Sequence, residues 1–268
     1  MLTLGGVLSI LVSGSLVGLV LGLVGGGGSI LAVPLLVYFV GVHSPHQAIG
    51  TSSVAVAVSA AINLALHARE GTVKWRCAAL FAAAGVLGAW GGATLGKSLD
   101  GQKLLALFGA LMVLVGVLVL RRPRQREQPE VRLDLSSASV LAPRLLLAGF
   151  LAGLLAGFFG IGGGFLIVPA LLAATNMPMI AAIGSSLVAV CAFGVTTAVS
   201  YASSGLVDWS IAGLFILGGL AGGAVGTRAA VGLSHRRYLL SVSFAALVIA
   251  IGLYVIARGW HAIVSFMP

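Results

Sequence analysis

The feature that most constrains this 268-residue chain is a succession of apolar runs that no charge interrupts. Leu104–Leu120 contains no charged residue, and neither does Cys77–Gly96. A helix needs about 20 apolar residues to cross the hydrocarbon of a bilayer. At least six such runs follow one another along the chain. They do not alternate apolar with polar residues, which argues against membrane strands. Only 8% of residues are charged, against about 25% in a soluble domain, so a soluble surface cannot be built. The expected fold is all-α, a polytopic integral membrane protein.

Two local features fit that reading. The first apolar run has no basic residues ahead of it and continues through Gly25, so it is expected to be a retained helix and not a signal peptide. Six of the fifteen basic residues lie between Arg121 and Arg144. Basic charge concentrated in one loop points to the cytoplasmic side of a membrane, so the net charge of +9 implies no nucleic-acid partner. Cys77 and Cys191 stand far apart, with neither a disulfide framework nor metal-ligand spacing around them.

The chain repeats itself. Gly18–Pro34 matches Gly153–Pro169 at an offset of 135. Ala48–Val56 matches Ala182–Val190, and Gly71–Trp75 matches Gly205–Trp209, both at 134. Gly88 and Gly92 fall on Gly222 and Gly226. Four matches in order indicate a duplication: a first transmembrane repeat over 1–120, a basic cytoplasmic linker over 121–144 and a second repeat over 145–268. Each half reads as about five helical segments: 4–24, 29–41, 46–68, 74–96 and 101–120, then 145–160, 164–176, 179–202, 208–230 and 236–257. The second segment of each half follows a glycine cluster and is too short to span. With the linker inside, the basic loops at 69–76 and 232–237 also read as inside, and 97–103 and 203–208 as outside. Matching loops then face opposite sides, which predicts an inverted repeat with both termini outside. Lys97 and Lys103 run against the charge rule.

Glycines at a spacing of four recur in Gly14-Gly18-Gly22, Gly88-Gly92-Gly96, Gly149-Gly153-Gly157 and Gly218-Gly222-Gly226. That spacing lays small residues on one helix face, and packing alone accounts for it. The clusters Gly25, Gly26, Gly27, Gly28, Ser29 and Gly160, Gly162, Gly163, Gly164 differ, because consecutive glycines break a helix. Broken backbone inside a membrane survives only when buried in protein or lining a wet cavity. Each break is followed by a short helix, whose start exposes unpaired N–H groups and the positive dipole end. Such ends bind anions without a charged side chain, and inverted-repeat transporters place their sites there. Tight hairpin tips are the plainer alternative. No strand precedes either cluster and no Lys follows the last glycine, so a dinucleotide or phosphate loop is rejected.

Thr51, Ser52, Ser185 and Ser186 are hydroxyls near the start of the third segment of each half. They either donate to a substrate oxygen or bond back to helix carbonyls. Asn63 and Thr197 align deeper in the same segments, where a substrate contact and helix-to-helix bonding are the competing readings. His67 aligns with Tyr201 near a helix end. No acid lies at the centre of a span, which argues against a buried carboxylate proton relay and an acid-lined cation path. No catalytic residue and no metal site can be named, no cofactor is called for, and the chain does not read as an enzyme.

Taken together, Gly22-x-x-Gly-Gly-Gly-Gly-Ser-x-x-x-x-Pro34, Ala48-Ile-Gly-Thr-Ser-Ser53 and Gly71-x-Val-x-Trp75 resemble the TauE/SafE sulfite-exporter family, of the toluene-sulfonate uptake permease type. The second half repeats the pattern, and the resemblance covers nearly everything but the linker. It implies a multi-pass permease of the bacterial or archaeal plasma (inner) membrane for sulfite or a small organosulfonate. The expected partners are a small anion and the lipid bilayer, and self-association into a homo-oligomer is left open. Ile161 and Phe165 leave the second cluster with fewer glycines and no serine, so the two halves need not contact the substrate equally. A passive anion channel and a non-transporting membrane scaffold are the alternative functions.

Overall fold

The computed structural model describes residues 4–24, 26–121, 138–160, 162, 164–232 and 237–264. Most of the expected linker, together with Gly25 and Gly163, lies outside the described residues. All the described elements are helical. Helix α1 spans Leu4–Val24. A broken helix, α2, follows over 26–39: a 3-10 stretch at Gly26–Leu31, one α-turn at Ala32–Pro34 and a π stretch at Leu35–Phe39. Pro34 lies at the change of winding, where its missing N–H interrupts the ordinary ladder. Then come α3 at Pro45–Arg69, α4 at Trp75–Ser98 and α5 at Gly101–Arg121. The second half holds α6 at Ala138–Phe159, α7 at Gly164–Thr175, α8 at Met179–Ala202, α9 at Trp209–Gly232 and α10 at Arg237–Val264.

Seven of these helices are long and apolar enough to cross a membrane. Helix α6 starts well upstream of the expected 145. Pro143 and Arg144 look like a boundary, yet the helix carries Pro143 in its second turn at the loss of about one hydrogen bond.

The recurrent glycines bring backbones together. A methyl group on Gly14 or Gly18 of α1 would run into the carbonyls of Phe215 and Gly219 of α9. Methyls on Gly218, Gly222 and Gly226 would strike the carbonyls of Leu11, Ser15 and Leu19. The register climbs together on both helices, so α1 and α9 lie parallel. Ser15 adds a cross-helix bond, its hydroxyl donating to the Gly218 carbonyl at 3.1 Å. Helices α6 and α4 meet in the same way: Gly149 on Phe81, Gly153 on Gly85, and Gly88 and Gly92 on Phe150 and Leu154. Offsets of 134–135 turn one set of contacts into the other.

Two further pairs run the opposite way. Gly109 of α5 faces Gly252 of α10, while Gly116 faces Ala245 and Ile249, so these helices are antiparallel. Gly50 of α3 packs on Tyr201 of α8, while Gly194 of α8 packs on Ala57 of α3, which makes this pair antiparallel as well. Helices α3 and α8 form the centre of the molecule, with Ile49, Ala55, Val56, Ala60, Ala189, Val190 and Phe193 all buried.

Candidate functional site

In the second glycine cluster, Gly160, Gly162 and Gly164 mark the path of the chain. Phe158, at the end of α6, lies against Gly96 in the last turn of α4. The chain then turns inward. Gly160 and Gly162 have φ of 64° and 63°, the left-handed region that glycine alone enters freely. Gly160 sits on Ile49, in the second turn of α3, and its carbonyl accepts the Ser53 hydroxyl at 3.1 Å. Gly162 lies between Val56 and Val190, the middle residues of α3 and α8. Helix α7 begins two residues later, at Gly164. Its first turn is therefore level with the centres of the two central helices.

The first cluster lies against α1. Gly28 lies against the backbone of Val17 and Leu21 in α1, and a Cβ there would collide with both. The lack of a side chain at Gly28 thus serves packing against α1. Ser29 is fully buried. The 3-10 stretch containing Gly26, Gly27, Gly28 and Ser29 packs against both α7 and α8, so the two broken segments touch.

The aligned hydroxyls divide by role. Thr51 Oγ1 accepts the N–H of Asp208 at 3.0 Å, and Ser185 Oγ accepts the N–H of Lys74 at 2.9 Å. Thr51 and Ser185 are equivalent at the repeat offset, and so are Lys74 and Asp208. Each hydroxyl therefore clamps the start of the other half's long helix. Ser52, Ser53 and Ser186 donate to carbonyls of their own helices, to Ile49 at 3.0 and 2.8 Å and to Ile183 at 2.7 Å. Asn63 Nδ2 likewise donates to Ser59 of its own helix at 2.9 Å, and it links no second helix among the described residues.

Thr197, the partner of Asn63 in the repeat, behaves differently. It is fully buried, and its hydroxyl has no hydrogen-bond partner among the described residues. Only two other buried side-chain polar atoms share that condition among the described residues: the Tyr201 hydroxyl and His46 Nδ1. The rings of His46 and Tyr201 lie 6.5 Å apart, and the Lys97 ammonium stands 5.7 Å from the centre of the Tyr201 ring. Sequence reading overlooks this group, because Lys97 enters it only as a loop charge and His46 carries no motif. Among the described residues, no three His, Cys, Asp or Glu side chains are grouped to hold a metal ion.

The comparisons with known proteins agree with this architecture. The family profile described as "Sulfite exporter TauE/SafE" matches residues 10–255. The chain is 53% identical over 258 residues to a "Probable membrane transporter protein" of Xylella fastidiosa strain Temecula1, covering 94% of this chain and 96% of that protein. It is 26% identical over 214 residues to the "Probable membrane transporter protein YdhB" of Bacillus subtilis strain 168, covering 80% and 86%. It is also 27% identical over 182 residues to the "Probable membrane transporter protein MJ0441" of Methanocaldococcus jannaschii, covering 66% and 65%. No solved structure matches the chain.

Proposed function

The chain belongs to the sulfite exporter TauE/SafE family, and on that premise we propose that it carries a small oxyanion, sulfite or a small organosulfonate, held at the paired glycine breaks. The protein is a multi-pass membrane protein of a transporter family, not of an enzyme family. The observation that carries the finer reading is the position of Gly162 between Val56 and Val190. A helix that starts there opens its unpaired N–H groups and positive dipole end well inside the bilayer. Water solvates such groups poorly at that depth, so an anion is a favourable partner. The contact of α7 with the 3-10 stretch of α2 supports a shared site with contributions from both halves.

The same reading includes an inverted pair of halves joined by a cytoplasmic linker, expected at 121–144 and ended at 138, where α6 begins. Equivalent helices α3 and α8 meet antiparallel, and so do α5 and α10. Two equivalent helices that pack antiparallel are related by an axis perpendicular to them, which for spanning helices lies in the membrane plane. Carriers of this kind rock one set of helices against another around a central site. Thr51 and Ser185 would then be the clamps that hold each half to the other.

Two measurements test the proposal. Purified protein in liposomes should take up or release labelled sulfite ahead of sulfate, phosphate and chloride. Hydrogen exchange followed by mass spectrometry should show slower exchange over 26–31 and 160–166 when sulfite is added. Sulfite transport with unchanged exchange in both stretches would remove the glycine breaks as the site. Absence of any sulfite or sulfonate flux would remove the substrate assignment.

A further inference from the structure

We infer that His46, Lys97, Thr197 and Tyr201 form a second oxyanion-binding station, at the mouth of the path that leads to the Gly160–Gly164 break. The inference rests on the transport reading above and adds residues and a position to it. It starts from the three buried polar atoms that lack a partner among the described residues: His46 Nδ1, Thr197 Oγ1 and Tyr201 Oη. A buried hydroxyl without a partner is costly enough that folded proteins rarely keep one. Here two of the three rest on neighbouring rings and the third lies one turn away on α8. Thr197 and Tyr201 are four residues apart on α8, hence on one face, and the His46 ring packs at 6.5 Å from the Tyr201 ring.

The chemistry of the group suits an oxyanion. Both hydroxyls can donate. The Lys97 ammonium lies 5.7 Å from the Tyr201 ring, anchored on the Ser200 carbonyl at 2.9 Å and the Ser204 hydroxyl at 3.0 Å. A carbonyl only accepts, so His46 Nε2 carries the proton in its 3.0 Å bond to Leu99. Nδ1 is then left to accept the O–H of a singly protonated anion such as bisulfite. The carboxylates at this end of the molecule are already engaged. Asp100 accepts the N–H groups of Gln102 and Lys103, and Asp208 those of Ser210 and Ile211.

Position supports the same assignment. His46 stands ten residues before Val56 on α3, and Tyr201 eleven after Val190 on α8. Both intervals measure about 15 Å along a helix. That is about half the hydrocarbon thickness, and Gly162 marks the inner end of both intervals. Thr197 lies between, one turn inside Tyr201. At the repeat-related end of α3 the polar side chains already bond one another or their own helix. Thr72 Oγ1 donates to the His67 carbonyl at 3.1 Å and meets His67 Nδ1 at 3.0 Å, while Asn63 bonds Ser59.

The test is sulfite transport by full-length protein in liposomes, with binding of sulfite, methanesulfonate, sulfate and phosphate measured in detergent. Tyr201→Phe and Thr197→Val remove one hydroxyl each and keep the shape, and Lys97→Gln removes the charge. Each should raise the KM for sulfite about tenfold, the scale of one hydrogen bond to a charged group, with maximal rate and melting temperature near wild type. Lys97→Arg should retain most of the affinity, and His67→Gln in the repeat-related group should leave KM unchanged. If Tyr201→Phe fails to fold, Thr197→Val and Lys97→Gln decide the matter alone. An unchanged KM in the folded variants, with wild type transporting sulfite, overturns this station and leaves the central site standing. Shifted KM values with no protection of the glycine breaks would support the station and overturn the breaks. A wild-type protein that binds and moves none of the four anions overturns both.

Discussion

The far end of α3 and the far end of α8 correspond in the sequence repeat but are finished differently. At the end of α3, Asn63, His67 and Thr72 bond to one another or to their own helix. At the end of α8, Thr197 and Tyr201 stand where Asn63 and His67 stand in the repeat, fully buried, their hydroxyls without a hydrogen-bond partner among the described residues. Elsewhere the halves are matched closely. Gly14 on Phe215 repeats as Gly149 on Phe81, and the Thr51–Asp208 clamp repeats as Ser185–Lys74. The contacts between the two halves are therefore matched, while the polar ends of the central helices differ. A transporter can tolerate different chemistry at its two mouths, but close glycine contacts tolerate almost no change on either side.

The largest effect should come from the matched part. Gly222→Val and Gly88→Val each push a branched side chain into a facing carbonyl, of Ser15 and of Phe150. Overpacking of this kind costs about 1–3 kcal/mol, and the two should lower the thermal midpoint by similar amounts. Gly91→Val is the control, since nothing lies within 4 Å of a Cβ there. A large loss in one half and none in the other would break the equivalence. Next comes the unmatched part, where Tyr201→Phe should shift sulfite KM about tenfold, the scale of one hydrogen bond to a charged group, and His67→Gln should not. Equal shifts at both ends would erase the asymmetry.

Smaller effects sharpen the comparison. Thr51→Ala and Ser185→Ala each leave one N–H without its acceptor, at Asp208 and at Lys74. Each should cost about 1 kcal/mol, and because the clamps are far apart the double variant should lose about the sum. A double loss well below the sum would mean that the clamps act as one unit. Sidedness is a yes-or-no measurement in the same series. With Cys77 and Cys191 replaced, Arg126→Cys and Ser203→Cys should label from opposite faces of the membrane. Labelling from one face would end the inverted arrangement. The smallest change should be Asn63→Ala, which removes a half-exposed bond within one helix and should stay within about 0.5 kcal/mol in melting.

Much of the architecture is legible in the amino-acid sequence, because it depends on local properties of the chain. Uncharged runs such as Cys77–Gly96 must lie in lipid or protein, and consecutive glycines at 25–28 and 162–164 must interrupt a helix. Glycines spaced by four are suited to pack helices, and Gly218, Gly222 and Gly226 all do so. What sequence could not supply was the set of partners. Thr51 and Ser52 are neighbours of similar chemistry, yet one clamps Asp208 and the other bonds back to Ile49. Gly28 resembles the rest of its cluster but serves its contact with Val17 and Leu21. His46, Lys97 and Tyr201 come from three different helices or their ends, with no motif between them. They meet only because α3 and α8 run antiparallel in one register beside the last turn of α4. Local chemistry decides where a helix starts, breaks or enters lipid. Which polar atoms find partners depends on the register between helices far apart in the chain, and that is settled only when they pack.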